Sequence, residues 1–403
     1  MVHIKPFRAI RPTRDKASLV ASRSYVSYSK KSLIEKLNSN PYTFLHIINP
    51  DYKNNNRLKT SERFQAIRRK YDEFINNKYI KKDEQEYFYI YKQIKSGIES
   101  TGIINAISIN DYLSGRIKIH EETILKREEL FKEYLKITQF NAEPVLLTYA
   151  DNQRINNITQ NYCKDRPEYE FTTTNGVKHM LWVISKKEDI ENIEKEFSKI
   201  DNVYIADGHH RCASSALLSK EITRKNNNHN FLMSCLVPES QLRILNFNRI
   251  IENIPEIAEE DLIAKIQEYY NVKNQGKNIF IPSLKNEISM YFRRTWYSLI
   301  AKNKQYTSIS ASLDPSILSN TILKNIFNIE SERDHPDISF LDGNISPAII
   351  QEKVDREKNS IAFILKPLKI KDLKDVADNR EIMPPKSTYI EPKLRSGLTI
   401  YEI

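Results

Sequence analysis

The chain has 403 residues, a formal net charge of +10 and an apolar fraction of 40%. This size and composition favour a soluble globular protein with two or three domains or one elaborated fold. Its three cysteines lack CxxC spacing, and no run approaches the roughly 20 apolar residues of a membrane span. These features exclude a disulfide framework, an obvious zinc site and a transmembrane helix, and a start without a leader-like apolar core predicts a cytoplasmic protein.

The positive charge is spread along the chain, and acidic residues interrupt the basic ones. Nucleic-acid-binding proteins usually cluster Lys and Arg on one face or along one helix. Nucleic acid is therefore not expected as a partner, and background composition explains the charge better.

The first part of the chain combines short apolar runs with helical periodicity. Residues 42–48 (YTFLHII) are interpreted as a buried strand, and the aromatic run at residues 86–93 as a second strand. Apolar residues recur at helical spacing between residues 63 and 80 and again in the second part of residues 116–137. Both segments are predicted to be amphipathic helices.

Four continuous apolar runs follow, each typical of a strand covered on both faces: residues 143–150, 179–185, 203–208 and 231–238. A helix starting near Cys212 lies between the last two runs. The order strand, turn, helix, strand predicts an α/β unit around residues 203–238.

The last hundred residues predict helices near 315–327 and 368–378 and a strand at residues 361–367. The elements together predict a mixed α/β (α+β) fold with a central mixed sheet and added helices. Predicted limits are an N-terminal region at 1–140, a central region at 141–300 and a C-terminal region at 301–403, unless all three form one elaborated fold.

Four ionisable side chains surround a glycine where the third of these strands meets its helix, in the sequence Asp207-Gly208-His209-His210-Arg211. Glycine permits a sharp turn and close approach of a ligand. The helix that follows presents N–H groups and the positive end of its dipole, a combination that binds anions. His209, His210 and Arg211 add donors, so the turn predicts a polyphosphate site, and Asp207 is a candidate Mg²⁺ contact or hydroxyl-orienting group.

A structural alternative exists for the same turn. Asp207 would then cap the helix, the histidines would be satisfied by core partners, and Arg211 would pair with a carboxylate. Three donors crowded at one strand-to-helix turn favour the functional interpretation.

The chain resembles the domain-of-unknown-function family numbered 1015. The resemblance is carried by IADGHHR and by five further blocks: PFRAIRP (6–12), NPYTFLHI (40–47), GRIKIHEETILKRE (115–128), EPVLLTY (143–149) and MPPKSTYIEPKLRSGL (383–398). Two departures are visible, because Tyr25 is followed by Val26 where the family usually has aspartate, and LNFNR (245–249) replaces a more polar LPTHR-like block.

The turn of this family is in addition similar to that of ParB/sulfiredoxin-like proteins, a group that includes a free-serine kinase. In that group a comparable turn holds the phosphates of a nucleoside triphosphate. The resemblance implies a strand-turn-helix nucleotide site, with Gly208, His209, His210 and Arg211 as phosphate contacts.

His120 and Glu121 open a predicted helix in KIHEETILKRE. A carboxylate near a phosphate site can act as general base on a substrate hydroxyl, so both residues are catalytic candidates beside Asp207. The structural alternative is that the acidic residues complement the helix N-terminus.

The segment MPPKSTYIEPKL supplies further phosphate-contact candidates, namely Lys386, Ser387, Thr388 and Lys393. It is not a Walker A loop, and its alternative is a surface turn before a final strand. Arg8, Arg11 and Arg249 are weaker anion-contact candidates, because isolated arginines are usually exposed or paired.

These observations predict a phosphotransferase that moves a phosphoryl group between ATP or ADP, with Mg²⁺, and the hydroxyl of a small metabolite such as L-serine or phosphoserine. The alternatives are a ParB-like, nucleotide-responsive regulator and a small-metabolite phosphatase. The absence of a clustered basic helix counts against the regulator.

Overall fold

The computed structural model of the chain describes residues 1–53, 58–222, 227–302, 305–333, 335–357 and 359–403. They form two compact units. Unit 1 comprises Met1–Lys118, Thr123–Leu242 and Pro392–Ile403, and unit 2 comprises Ile119–Glu122 and Arg243–Glu391. Each unit is therefore discontinuous in sequence.

The strands of the described residues are, in chain order, β1 (Ile4–Lys5), β2 (Ile10–Pro12), β3 (Ile80–Lys82), β4 (Phe88–Lys95), β5 (Ile98–Ser108), β6 (Ile117–Lys118), β7 (Phe140–Asn141), β8 (Val145–Tyr149), β9 (Tyr169–Thr172), β10 (Lys178–Ile184), β11 (Val203–Asp207), β12 (Phe231–Pro238), β13 (Arg243–Leu245), β14 (Phe247–Ile251), β15 (Tyr270–Gly276), β16 (Glu287–Phe292), β17 (Thr295–Ala301), β18 (Ile338–Asp342), β19 (Ile361–Leu365), β20 (Tyr389–Glu391) and β21 (Tyr401–Glu402).

The α-helices of the same residues are α1 (Ala17–Val20), α2 (Lys30–Ser39), α3 (Leu45–Ile48), α4 (Thr60–Asn76), α5 (Ile109–Leu113), α6 (Leu125–Thr138), α7 (Gln153–Tyr162), α8 (Lys187–Phe197), α9 (His209–Glu221), α10 (Glu259–Gln267), α11 (Asp314–Leu318), α12 (Pro347–Arg356) and α13 (Ile370–Asp378). Within these described segments, no helix combines the length and the apolar character needed to cross a membrane.

Unit 1 is built on a mixed sheet whose strand order is β6-β11-β8-β12-β5-β4-β10-β9, with β1 added beside β5. The pairs β11 with β6 and β12 with β8 are parallel, whereas β11 pairs with β8 and β12 with β5 in antiparallel fashion. The apolar run that forms β8 is buried throughout, and so is that of β12 after its first residue, as their sequences predict. This sheet confirms the predicted mixed α/β class.

Unit 2 contains a separate sheet in the order β15-β17-β16-β19-β14-β18, and all its pairs are antiparallel. Apolar clusters cover this sheet, one around Tyr270 and Phe363 and another around Trp296 and Ile364. All five residues of β19 are buried, and neighbouring residues belong alternately to the two clusters, so both faces of this strand are covered.

Most predicted elements are present, but the strand predicted at residues 42–48 is wrong. Leu45–Ile48 forms the single-turn helix α3, whose first residue follows a turn. Phe44 and Ile47 pack in one cluster with the apolar face of α4, and Leu45 is also buried. A short apolar run has the same composition in a buried turn of helix as in a buried strand, so tertiary packing decided between them.

Candidate functional site

The turn at residues 207–211 connects β11 directly to α9. Gly208 has φ of +105° and ψ of +30°, a left-handed conformation that favours glycine. A Cβ atom at this position would lie 3.0 Å from the Arg211 guanidinium. Both the backbone conformation and the neighbouring side chain therefore require glycine here, and α9 can begin at the next residue.

Asp207 lies at the end of β11 between two cations. One carboxylate oxygen is 2.9 Å from Lys393 Nζ, and the other accepts a 2.7 Å hydrogen bond from Arg211 Nη2. Burial by itself acts to raise the pKa of Asp207, but the charges of Lys393 and Arg211 outweigh it and hold the pKa well below its usual range. Asp207 is therefore ionised throughout the physiological pH range.

Arg211 is bound mainly to the protein itself. Its Nη1 is 3.0 Å from a carboxylate oxygen of Glu143 and donates to the carbonyl oxygens of Glu143 at 3.1 Å and Pro144 at 2.7 Å. Burial acts to lower the pKa of Arg211, but the Glu143 and Asp207 carboxylates raise it above its ordinary value. The guanidinium thus ties the turn to the residues that precede β8, as the structural alternative expects.

The two histidines of the turn differ in exposure. His209 is buried and close enough to Asp207 to help lower the pKa of that carboxyl, whereas His210 is partly exposed. Cys212 follows on the buried side of α9, where burial raises its thiol pKa to about 12. This cysteine is therefore protonated at neutral pH and does not provide a thiolate nucleophile.

Lys393, a candidate outside the turn, lies beside Asp207. Its side chain is 42% exposed and that of Asp207 is 38% exposed. Lys393 stands in the last segment of unit 1, and its backbone carbonyl accepts a hydrogen bond from Gln93 on β4. Lys393 is therefore accessible to solvent while it is paired with Asp207.

His120 and Glu121 belong to unit 2, and their predicted position at the start of a helix is wrong. They lie in an irregular segment, and α6 begins only at Leu125, with Ile124 at its N-cap. The side chain of His120 is buried, which lowers its pKa to about 4 and keeps it neutral. The Glu121 carboxylate lies 3.7 Å from Arg333. These acidic side chains therefore do not complement the N-terminus of α6.

Lys386, Ser387 and Thr388 also belong to unit 2. Lys386 has φ of +57°, and its ammonium group lies 5.1 Å from the centre of the Phe247 ring. The Ser387 hydroxyl is buried and donates to the Pro384 carbonyl oxygen at 2.7 Å. Thr388 is half-buried and directly precedes β20. The segment forms a tight turn, and its phosphate contacts stay a prediction.

The isolated arginine candidates have internal partners. Arg8 Nε donates to the Asp83 carbonyl oxygen at 2.9 Å from an exposed position. Arg11 is buried and pairs with the Asp83 carboxylate at 2.8 Å. Arg249 is completely buried and pairs with Glu332 at 3.1 Å. Anion binding by Arg249 stays a prediction that this geometry does not support.

Glu143 is a site residue that the sequence analysis did not identify. It precedes β8, and β8 runs antiparallel to β11 with Leu146 opposite Asp207. The start of one strand therefore lies beside the end of the other, which brings Glu143 to Arg211. Glu143 could have been identified from the sequence only if the pairing of β8 with β11 had been known.

The arrangement around Asp207 does not form a protein cage for Mg²⁺. Both of its carboxylate oxygens already bind cationic side chains. Among the residues that the structure describes, no three His, Cys, Asp or Glu side chains are grouped to hold a metal ion. What the turn offers is a fixed carboxylate, an exposed lysine and a helix N-terminus.

Comparisons with known proteins identify one family and several solved structures that are distantly similar to this chain. The model of the family described as "Protein of unknown function (DUF1015)" matches residues 4–316. No curated protein matches the chain.

Three solved structures have a distant similarity to this chain. SbnI with a C-terminal truncation from Staphylococcus aureus has 12% sequence identity and a TM-score of 0.40, covering 74% of this chain and 87% of that chain. A free serine kinase variant in complex with ADP has 10% identity and a TM-score of 0.37, with 74% and 92% covered. A conserved hypothetical protein from Pyrococcus furiosus has 11% identity and a TM-score of 0.35, with 75% and 94% covered.

Proposed function

The chain belongs to the DUF1015 family, and we propose that it transfers a phosphoryl group between a nucleotide and the hydroxyl group of a small metabolite. The observation that carries this proposal is the turn at Gly208, where Asp207, Arg211 and Lys393 meet at the N-terminus of α9. The resemblance of this turn to that of a group containing a free-serine kinase makes ATP or ADP with L-serine or phosphoserine the first substrates to test.

Lys393 is the phosphate contact that the geometry supports best. The Lys393 side chain is 42% exposed, so its ammonium group is accessible to solvent while it is paired with Asp207. A nucleotide phosphate can therefore bind Lys393 beside the carboxylate, while the positive end of the α9 dipole attracts the same group. His210, which is partly exposed beside Gly208, is the second proposed contact.

Arg211 is better explained as a positioning residue than as a phosphate clamp. Both of its terminal nitrogens bind protein oxygens, from Asp207 on one side and from residues 143–144 on the other. Its proposed role is to hold the turn and Asp207 in place. This assignment also explains the close approach of the guanidinium to Gly208.

Asp207 is proposed to orient the acceptor hydroxyl rather than to act as its general base. A general base works best with a pKa near the working pH, whereas the pKa of Asp207 is held well below its usual range. Glu121, the sequence-based candidate for the base, belongs to unit 2, and its carboxylate is 43% exposed, so this role stays a prediction. Mg²⁺ would be held through the nucleotide phosphates, because both oxygens of Asp207 are occupied.

The experiment is a thermal-shift and turnover panel of ATP, ADP, CTP, L-serine and phosphoserine, each with and without Mg²⁺. We expect ATP or ADP to raise Tm in the parent protein, and Lys393→Gln to weaken that nucleotide about tenfold, as loss of about 1.4 kcal/mol would require. Lys82→Gln is the matched control, because Lys82 forms a similarly exposed pair with Glu402 at 2.7 Å.

The same panel separates the three candidate activities. Transfer of phosphate between nucleotide and serine supports the proposal. Release of phosphate from phosphoserine without any nucleotide indicates a phosphatase instead, and nucleotide binding without turnover indicates a regulator. If Lys393→Gln and Lys82→Gln respond to nucleotide as the parent does, the phosphate site is wrongly placed.

A further inference from the structure

Three arginines are buried among the described residues, and one of them lacks an acidic partner. Arg11 pairs with Asp83, and Arg249 pairs with Glu332. Arg395 is only 7% exposed, yet none of its hydrogen bonds within the described residues goes to a carboxylate. A buried charge is stable only when another group compensates it, so this exception needs an explanation.

The guanidinium of Arg395 donates to neutral acceptors of unit 1. Its Nε is 3.2 Å from His179 Nε2, and its Nη2 is 3.2 Å from Thr173 Oγ1 and 3.4 Å from Asn175 Oδ1. Nη1 makes no hydrogen bond to any described residue, but it is not sealed off as Nη2 of Arg249 is. The N–H groups of Nη1 are therefore available to a further acceptor.

His179 cannot supply the missing negative charge. It is completely buried and stacked between Tyr91 and Phe171, and burial together with the Arg395 charge lowers its pKa to about 3. Because Nε2 accepts the hydrogen bond from Arg395, the single ring proton must be on Nδ1. Nδ1 then donates to the Tyr91 hydroxyl oxygen at 2.8 Å, so the cluster keeps the full positive charge of Arg395.

A second cation reinforces this positive charge. Arg23 acts electrostatically on Arg395 and helps to lower its pKa below the ordinary value, after burial, which is the larger cause. Arg23 is exposed, lies 4.7 Å from the Tyr28 ring, and forms no ion pair with any carboxylate that the structure describes. Two neighbouring cations without an acid indicate that a negative charge is to be supplied from outside the chain.

The segment that pairs with Ser396 carries an independent sign of an incomplete site. Ser22 pairs through its backbone with Ser396, next to Arg395, and is itself buried. Its hydroxyl oxygen has no hydrogen-bond partner among the described residues. Buried hydroxyl groups are normally satisfied, so an additional polar group is expected near Ser22.

We propose that Arg395 and Arg23 form a second anion site, which binds the carboxylate or phosphate group of a small molecule. Arg395 Nη1 and Arg23 would donate to the oxyanion, and the ligand would supply the charge that compensates the buried guanidinium. The site is made of residues other than Asp207, Arg211 and Lys393, and it does not depend on phosphoryl transfer at that turn.

The experiment measures binding to the full chain by calorimetry and thermal shift, with inorganic phosphate and acetate as separate probes and chloride at equal ionic strength. We expect saturable binding of phosphate or acetate that chloride does not reproduce. Arg23→Gln should weaken it at least about tenfold without unfolding, because Arg23 is exposed, and Arg395→Gln should abolish it. Binding by phosphate alone or by acetate alone identifies the ligand group.

Two control variants keep this result distinct from the proposed function. Lys393→Gln should leave acetate binding unchanged, whereas it should weaken nucleotide binding. Arg154→Gln removes an exposed arginine that pairs with Glu196 and should bind both probes as the parent does. Parent-like binding by both Arg23→Gln and Arg395→Gln, or equal stabilisation by chloride, would overturn the proposal.

Discussion

Arg249 in unit 2 and Arg395 in unit 1 are both buried, yet their surroundings differ. Arg249 faces Glu332 and the Phe247 carbonyl, so its charge is compensated inside the protein. Arg395 faces a neutral imidazole, a hydroxyl and an amide. The difference teaches that burial of an arginine does not define its role, because a compensated charge supports the fold whereas an uncompensated one is available to an anionic ligand.

The largest expected effect is that of Arg249→Met. It leaves the Glu332 carboxylate buried without a cation, and breaking such a pair costs about 3–5 kcal/mol. Urea unfolding monitored by tryptophan fluorescence checks this, because Trp296 reports on unit 2 and Trp182 on unit 1. The double variant Arg249→Met/Glu332→Gln should recover much of the loss. If Arg249→Met were as stable as the parent protein, the distinction between a structural Arg249 and a ligand-binding Arg395 would be wrong.

The second expected effect is a pH dependence located at His179. The folded protein holds the pKa of His179 at about 3, while the unfolded value is 6.5, so only the unfolded state takes up a proton as the pH falls below 6.5. The contribution of His179 to the free energy of unfolding is thus complete above pH 6.5 and is lost towards pH 3, by about 1.4 kcal/mol per pH unit.

Denaturation curves of parent and His179→Gln between pH 7 and pH 5 test this dependence. The groups around the ring are Arg395, Tyr91 and Phe171, and none of them titrates in this range. The free energy of unfolding of the variant should fall less steeply with decreasing pH, because the contribution of one group is removed. His120 in unit 2, which also has a lowered pKa, should continue to contribute to this pH dependence in both proteins. Identical slopes for both proteins would contradict the neutral His179 on which the anion site depends.

A third and smaller effect is expected for Arg211→Met, about 1–2 kcal/mol. Arg211 has two carboxylate partners, as a structural arginine does, but its side chain is 23% exposed and water partly replaces the lost contacts. The free energy of unfolding and the nucleotide-dependent Tm shift measure the two consequences. If Arg211→Met lowered the free energy of unfolding by more than Arg249→Met does, solvent exposure would not weaken the ion pairs of Arg211.

The smallest effect is expected for Arg395→Met, below about 1 kcal/mol in chloride buffer, because removal of an uncompensated buried cation offsets the lost hydrogen bonds. The variant should lose the stabilisation by phosphate or acetate that the parent shows. Unfolding curves with and without these anions supply both values. A destabilisation as large as that of Arg249→Met would show that Arg395 is mainly structural.

The sequence by itself determined the local frame of the turn. The apolar run before Asp207 forms β11, and the residues after Gly208 form α9. Gly208 between them adopts a φ of +105°. All three features depend on residues that are adjacent in the chain. Family membership and the mixed α/β class were also predictable, because the family-like sequence blocks and the order of elements are linear features.

Only the tertiary structure decided which charges meet. Glu143 reaches Arg211 through antiparallel strand pairing, and Lys393 reaches Asp207 across 186 positions of the chain. The helical state of residues 45–48 and the missing acidic partner of Arg395 were equally hidden. Charge compensation depends on distances of a few ångströms between remote segments, and such distances arise only when the sheet and its crossing segments have packed.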